Sequence, residues 1–272
     1  MKVTAKVAGY EIRDVIRSRW LIGYTLFFLV ITDALFRFGG GGEKALLSLV
    51  NVVLFLIPLV AIVFSTVYLY AAREFIELLL AQPIKRRQVF AGLYIGLTLP
   101  LSLSFVAAVC VPFILHRGVA NAQPGTFAAL LLAGIALTLI FTALAFLIVA
   151  RTEDRVKGLG LAVALWLFLA VIYDGLVLLL ISIMADHSIE RPLIGLMLAN
   201  PMDLARVALL LQFDVAALLG YTGAVMQRFF GRSIGVTVTS LALAAWVFAP
   251  TPCRFAGIPE KGFLIAQDLH RA

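Results

Sequence analysis

A charged segment between two apolar stretches carries the side chains best suited to binding another protein. It reads REFIELLLAQPIKRRQVFAG over residues 73–92 and combines acidic residues, three leucines, a proline and a basic turn. This pattern predicts a short amphipathic helix that is broken at Pro83. Leucines exposed beside a basic turn favour a docking surface for a protein partner, whereas the alternative is a solvated connector between two spans. The docking residues predicted here are Glu74, Glu77, Leu78, Leu79, Pro83 and Arg86.

Two polar residues fall inside long apolar stretches. Asp174 lies near the middle of the fifth stretch and Asn51 lies in the second. A carboxylate inside a bilayer is costly enough to indicate a functional role. An interhelical hydrogen bond or a protonated acid explains Asp174 equally well, and packing between helices explains Asn51.

A third polar group follows the fifth apolar stretch and consists of Asn200, Pro201, Asp203 and Arg206. Proline is favoured at the first position of a helix, and Asn or Asp is favoured as its N-cap. The spacing therefore predicts a helix that begins after Pro201, with Asn200 or Asp203 as its cap.

The sequence lacks the residue patterns that a metal site, a phosphate-binding loop or an intramembrane enzyme would need. Met184, His187, Met197 and Met202 do not have the spacing of a copper site, so no metal ligand is predicted. The run GGGGEK at 39–44 lacks the ending of a phosphate-binding loop. A lone Gly-x-Ser at 231–233 and the absence of His-Glu-x-x-His make an intramembrane enzyme the least favoured alternative. No catalytic residue and no cofactor site are expected.

The composition of the chain predicts which secondary structure carries these residues. The chain has 272 residues, of which 62% are hydrophobic and only 14% are charged, so a soluble core could not bury its apolar surface. Six stretches approach the length of about 20 residues that spans a bilayer: 21–38, 46–70, 93–116, 127–150, 159–184 and 233–250. Backbone groups in lipid must bond internally, so these spans must be helices. We therefore expect an all-α polytopic membrane protein with one transmembrane domain of six helices.

The flanking segments predict the topology. Residues 1–20 are amphipathic and basic, which indicates an elbow helix on the membrane surface rather than a signal peptide. Most lysines and arginines then fall on the side of the N-terminus, so both termini are predicted in the cytoplasm. The net charge of +7 is spread between apolar segments, which indicates topology signals rather than binding to nucleic acid.

The segment 193–226 does not fit a simple span. A seventh span over 207–226 would bury Gln212 and Asp214, and a central Asp alone costs about 2.5–3.5 kcal/mol. We therefore favour a re-entrant or interfacial helical segment on the outer side, between spans five and six.

The charged segment 73–92 resembles the coupling-helix loop of exporter-type ABC permeases, with Phe75 and Ile76 where Gly-Thr is usual. Within that class the sequence resembles the NosY-type permeases of NosDFY copper-processing transporters. The similarity lies in EIRD at 11–14, AVALWLFLAVIYD at 162–174 and NPMDLAR at 200–206.

This resemblance implies a homodimer in the bacterial inner membrane, surrounded by lipid, with a cytoplasmic NosF-like ATPase that binds ATP and Mg²⁺. It further implies a periplasmic NosD-like partner on the segment of Asn200, Pro201, Asp203 and Arg206. The implied function is copper-site maturation of nitrous-oxide reductase. A permease that exports a lipid, drug or other small molecule is the alternative.

Residues 251–272 are expected to form a cytoplasmic tail that is neither apolar nor family-like. The segment IPEKGFLI at 258–265 can be encoded by codons that, in a reading frame shifted forward by one nucleotide, encode FRKKDF followed by a stop codon. The codons were selected from the degenerate set to give this result. FRKKDF is the type of C-terminal ending that the resemblance implies. A frameshift near Pro250 is therefore a hypothesis beside simple coincidence. It predicts an irregular tail without functional residues.

Overall fold

The computed structural model describes residues 2–39, 42–82, 85–116, 124–183, 190–212 and 235–248, and within these ranges every regular element is helical. The predicted all-α polytopic class is confirmed. Five helices are long and apolar enough to span a bilayer, at Arg19–Phe38, Lys44–Ala71, Arg86–Leu115, Gly125–Arg151 and Arg155–Ile183. A shorter apolar helix, Gly235–Phe248, lies within the sixth predicted span, so the count of six stays a prediction.

Ten helices are numbered along the described chain. They are α1 (Lys2–Arg17), α2 (Arg19–Phe38), α3 (Gly42–Ala71), α4 (Arg73–Leu80), α5 (Arg86–Leu115), α6 (Pro124–Arg151), α7 (Arg155–Ile183), α8 (Glu190–Ala199), α9 (Pro201–Gln212) and α10 (Gly235–Phe248).

The elbow helix α1 packs against other helices of the domain, and the expectation that it also lies along the membrane surface stays a prediction. Val7, Glu11 and Val15 recur at intervals of four residues, and all three are buried against the neighbouring helices. Tyr10 and Ile16 stay exposed. Ser18 separates α1 from α2, because its backbone is extended and its Oγ accepts a hydrogen bond from the Leu21 amide.

Two glycines of α5 allow α1 to approach its backbone. A Cβ atom at Gly92 would lie 2.8 Å from Cβ of Val7, and one at Gly96 would lie 2.3 Å from Cβ of Glu11. Any larger residue would therefore separate the two helices. This packing explains why α5 begins at Arg86, before the predicted span boundary at residue 93.

The core of the domain lies between α3, α5 and α6. Phe105 is fully buried and packs where Gly134 leaves room, since a Cβ there would lie 2.4 Å from the ring. Ser65 donates a hydrogen bond of 3.2 Å to Thr142 between α3 and α6. These contacts fix the central helices relative to one another.

Helix α7 lies at the side of this core. Trp166 donates its indole N–H to the Phe55 carbonyl of α3 at 3.1 Å. Beyond this contact, α7 contains a π-helical turn at Phe168–Ile172 and leaves large apolar side chains such as Leu176 and Leu178 exposed. The described residues therefore leave this outer face of α7 uncovered.

Three predictions fall outside the described residues. Pro83 is one of them, and the segment 213–226, which would complete the seventh-span alternative, is another. The tail 251–272 is the third. Both the re-entrant segment and the frameshift hypothesis therefore stay predictions.

Candidate coupling surface and intramembrane polar cluster

Helix α4 presents part of the predicted docking residues to solvent. Leu78 is 68% exposed and Glu74 is also exposed, whereas Leu79 is half-buried against the core. The expectation of several exposed leucines is therefore correct for Leu78 alone. Tyr10 of α1 extends the exposed patch, because its ring stacks on Phe75 at 5.3 Å. We call Glu74, Leu78 and Tyr10 the coupling surface.

The coupling surface is anchored to the rest of the domain. Ile76 is completely buried on the opposite side of α4. Arg73 bonds Glu77 at 3.2 Å and donates to the Glu153 carbonyl at 3.0 Å. Tyr70, at the end of α3, donates to the Thr152 carbonyl at 2.7 Å. Glu77 therefore has a structural partner, and α4 is bound to the connection between α6 and α7.

The basic turn after α4 leads directly into α5. Arg86 is half-buried at the first position of α5, while Lys85 and Arg87 are exposed. Arg86 is thus close in sequence to the docking residues of α4, but it is the first residue of a different helix, α5.

Glu11, which lies in the EIRD segment at 11–14, has a buried position that was not predicted from the sequence. Tyr68 Oη of α3 contacts a Glu11 carboxylate oxygen and lies 2.8 Å from Oδ2 of Asp14. Burial raises the pKa of Glu11 above its ordinary value, with a further contribution from the charge of Asp14. A phenol has one proton, so the Tyr68 hydroxyl can donate to only one of these two carboxyl groups at a time. The signal in the sequence was an acid at an apolar position of an amphipathic helix.

The two sequence blocks at 162–174 and 200–206 meet in space. Nη1 of Arg206 lies 2.8 Å from Oδ2 of Asp174 and 3.8 Å from Oδ1 of Asp203. Asn200 adjoins them, because its amide donates to Oδ2 of Asp203 at 3.2 Å. We call Asp174, Asn200, Asp203 and Arg206 the polar cluster.

Asn200, one of the two predicted caps, is the cap of α9, and the helix begins one residue earlier than predicted. Its Oδ1 accepts from the Met202 amide at 3.0 Å, and Pro201 is the first residue of the helix. Its amide group also donates to the Leu169 carbonyl at 2.9 Å. Leu169 lies in the π-helical turn of α7, where backbone hydrogen bonds depart from the α-helical pattern.

Burial limits what this segment can contact directly. Asn200, Pro201 and Asp203 are buried, whereas the Arg206 side chain is 42% exposed. Contact with a periplasmic partner stays a prediction, and Arg206 is the cluster residue whose exposure suits it.

Two further hydrogen bonds fasten helix α8 to its neighbours. Tyr173 of α7 donates to the Leu196 carbonyl at 2.6 Å, and Trp246 of α10 donates to the Leu198 carbonyl at 2.9 Å. Asn51, by contrast, is exposed on α3, and among the described residues its amide donates to the Leu47 carbonyl of its own helix at 3.5 Å. Asn51 is therefore separate from the polar cluster.

The described ranges contain no group of three or more His, Cys, Asp or Glu residues arranged to hold a metal ion. The polar cluster instead pairs two carboxylates with one guanidinium, an arrangement in which the guanidinium compensates the carboxylate charges. Its chemistry is that of an interhelical link.

Comparison with known proteins gives consistent matches over most of the chain. The family model described as ABC-2 family transporter protein matches residues 5–250. The "Probable ABC transporter permease protein NosY" of Pseudomonas aeruginosa is 28% identical over 265 residues, covering 92% of this chain and 95% of that protein. A protein of the same name from Stutzerimonas stutzeri is 24% identical over 258 residues, covering 89% and 92%.

Proposed function

The chain belongs to the ABC-2 transporter family and is a permease subunit of an ABC transporter, and on this premise we propose how it couples ATP hydrolysis to work across the membrane. The protein is a multi-pass membrane protein. A separate ATPase subunit binds ATP and Mg²⁺, and this chain supplies the surface that receives its motion. Both termini lie in the cytoplasm, and the membrane is the bacterial inner membrane.

The observation that carries this proposal is the anchored coupling surface. Leu78 is the exposed apolar side chain of α4, and an exposed leucine beside an acidic residue is suited to insertion into a partner's groove. Because Ile76 is buried and Phe75 stacks on Tyr10, a displacement of α4 also moves α1. The docking helix therefore behaves as a lever attached to two elements.

Helix α7 is the route from the coupling surface to the polar cluster. At one end Gly158 packs on Tyr70, since a Cβ at Gly158 would lie 2.0 Å from Tyr70 Oη. Further along the same helix Asp174 binds Arg206, about 24 Å from Gly158 along the helix axis at 1.5 Å per residue. ATP-driven motion of α4 thereby reaches α9 through one helix.

The transporter works as a homodimer, and its outer segment contacts a NosD-like periplasmic protein. The exposed apolar face of α7 supports the dimer by offering surface that the described residues of this chain do not cover. The name NosY of the two relatives supports the cellular role, which is copper-site maturation of nitrous-oxide reductase. Export of a lipid, drug or other small molecule by the same architecture is the alternative.

The experiment compares Leu78→Asp with Phe38→Asp in the complete transporter. Both residues are exposed and apolar, but Phe38 ends α2 on the opposite side of the membrane. We expect Leu78→Asp to reduce copurification of the ATPase subunit and coupled turnover by about tenfold, from the loss of one anchor side chain. Phe38→Asp should leave both unchanged.

A Leu78→Asp protein that is inserted normally and retains full copurification and turnover would contradict the proposal. Equal losses in both variants would indicate a general defect of insertion, and would also contradict a specific role of Leu78. Leu79→Asp is the less informative change, because Leu79 contacts the core.

A further inference from the structure

A groove opens between α2 and α5 at the end of the domain where α1 turns into α2. It has a volume of about 490 Å³ and an almost entirely apolar lining. The lining residues include Ile16, Leu21, Ile22, Leu26, Leu29 and Leu103. The groove is separate from both the coupling surface and the polar cluster, and no role described above uses it.

Basic side chains lie at the mouth of this groove. Arg17 and Arg19 flank the corner at Ser18, next in sequence to the lining residues, and both are exposed. Within the described ranges neither arginine forms an ion pair. Arg19 precedes Ile22 by three residues and Leu26 by seven, so it lies on the face of α2 that lines the groove. The mouth is therefore cationic and the interior is apolar.

The position of the groove matches one leaflet of a bilayer. Helix α2 has 20 residues, about 30 Å, which equals the thickness of the hydrocarbon core, so Arg19 marks its boundary. Trp20 is 77% exposed at the same level, as is typical of tryptophan at a membrane interface. From Leu21 to Leu29 the groove extends about 12 Å along α2, close to the depth of one leaflet.

We propose that this groove binds an acyl chain of an anionic phospholipid whose phosphate is bound by Arg17 and Arg19. An apolar groove with a cationic mouth at the bilayer boundary complements a lipid with an apolar chain and a negative headgroup. The lipid comes from the cytoplasmic leaflet, which rests on the topology in the proposed function. It contacts the corner at which α1 continues into α2, and α1 also contacts α4 through Tyr10.

The test measures retained lipid in the purified, delipidated full-length protein by native mass spectrometry. Dioleoyl phosphatidylglycerol and dioleoyl phosphatidylcholine are the probes, and glycerol phosphate is the competitor that has the headgroup without the chains. We expect phosphatidylglycerol to be retained at least about tenfold better than phosphatidylcholine, because two arginines meet its charge. Glycerol phosphate should compete poorly.

Two variants test the headgroup-binding arginines and the apolar groove separately. Arg17→Gln with Arg19→Gln should abolish the preference for phosphatidylglycerol, whereas the matched pair Arg155→Gln with Lys157→Gln, also exposed and basic, should retain it. Ser104→Phe fills the groove from α5 and should weaken the retention of both lipids, leaving the arginines in place. It also provides the test if the double arginine variant does not fold.

Several outcomes would overturn the proposal. They are equal retention of the two lipids by the wild-type protein, equal loss in the control pair, and undiminished retention in Ser104→Phe. Dissociation of a dimer by Ser104→Phe, without loss of lipid, would assign the groove to a second copy of the chain. Because retention requires no ATPase, failure of this site and failure of the Leu78 interface are distinguishable.

Discussion

The two ends of the domain are fastened by different kinds of contact. At the elbow, α1 lies against α5 with almost no space between the backbones, because Gly92 and Gly96 have no side chain. At the polar cluster, α7 and α9 are joined through charged and amide groups that are partly open to solvent. The first contact depends on shape, and the second depends on charge.

This difference bears on how motion passes through the protein. A close-packed interface resists separation and moves as a unit, since interiors at crystal-like density have little room to adjust. A link made of ion pairs and capping hydrogen bonds can be broken and re-formed with little change in backbone packing. We therefore interpret the elbow as the rigid part of the lever and the polar cluster as the part that responds.

The largest expected effect is at Gly96. Gly96→Ala places a methyl group 2.3 Å from Cβ of Glu11 and must push α1 away from α5. Overpacking of this kind typically costs about 1–3 kcal/mol, and the upper end is expected because the obstacle is close to the backbone. Thermal unfolding of the purified protein measures the loss of stability.

Gly23→Ala is the matched control for this substitution. Gly23 also lies in a helix, but a Cβ there meets nothing within 4 Å. Its stability should be unchanged or slightly higher, because alanine is a better helix former than glycine. Equal destabilisation of both variants would show that the close approach at Gly96 does not decide the packing of α1.

The next effect is at the ion pair of the polar cluster. Arg206→Gln leaves Asp174 and Asp203 without their cation, so we expect a loss of about 1–2 kcal/mol, moderated by solvent exposure. Adding Asp174→Asn should restore part of the loss, because it removes one uncompensated charge. A double-mutant cycle by thermal unfolding measures this coupling.

Strict additivity of these two substitutions would contradict a direct interaction between the side chains. If the polar cluster is the responsive part of the lever, coupled turnover in Arg206→Gln should fall further than stability alone explains. The ATPase subunit should nevertheless copurify normally, because the coupling surface is intact.

The sequence predicted those features that follow from local composition. Five of the predicted stretches are helices long and apolar enough to cross a bilayer, because an apolar run of this length can satisfy its backbone groups in lipid only as a helix. The cap at Asn200 is also local, since the donor and acceptor lie two residues apart. The early start of α5 at Arg86 was missed, because its first turns are stabilised by α1, which is distant in the sequence.

The sites were predicted only in part, and for the same reason. Asp174 and Arg206 were both singled out, but 32 residues separate them, and nothing in either segment specifies its partner. Leu78 and Leu79 are adjacent in the sequence, yet their exposure differs because of where α4 meets the core. The amphipathic pattern of α1 did not assign Glu11 to its buried side, since an acid there needs a specific partner such as Tyr68.

A smaller effect is expected for the helix cap. Asn200→Ala removes the acceptor for the Met202 amide and the donor to the Leu169 carbonyl, so we expect a loss of about 1 kcal/mol. Asn51→Ala is the control, because Asn51 is exposed and among the described residues bonds its own helix, and it should cost less than about 0.5 kcal/mol. Similar losses in both variants would show that capping is not what the polar cluster contributes.

The smallest effect concerns pH at the elbow. The pKa of Glu11 is raised in the folded protein above its ordinary value of 4.5, so the folded state binds more protons than the unfolded state in the range between the two pKa values. Stability from this group is therefore fully present below pH 4.5 and falls as the pH rises through the folded pKa. Glu11→Gln keeps a neutral side chain beside Tyr68 and should remove that decline, whereas Asp14→Asn should retain it. Melting temperatures from pH 4 to 8 measure the trend, and the same decline in Glu11→Gln as in the wild type would show that another group causes it.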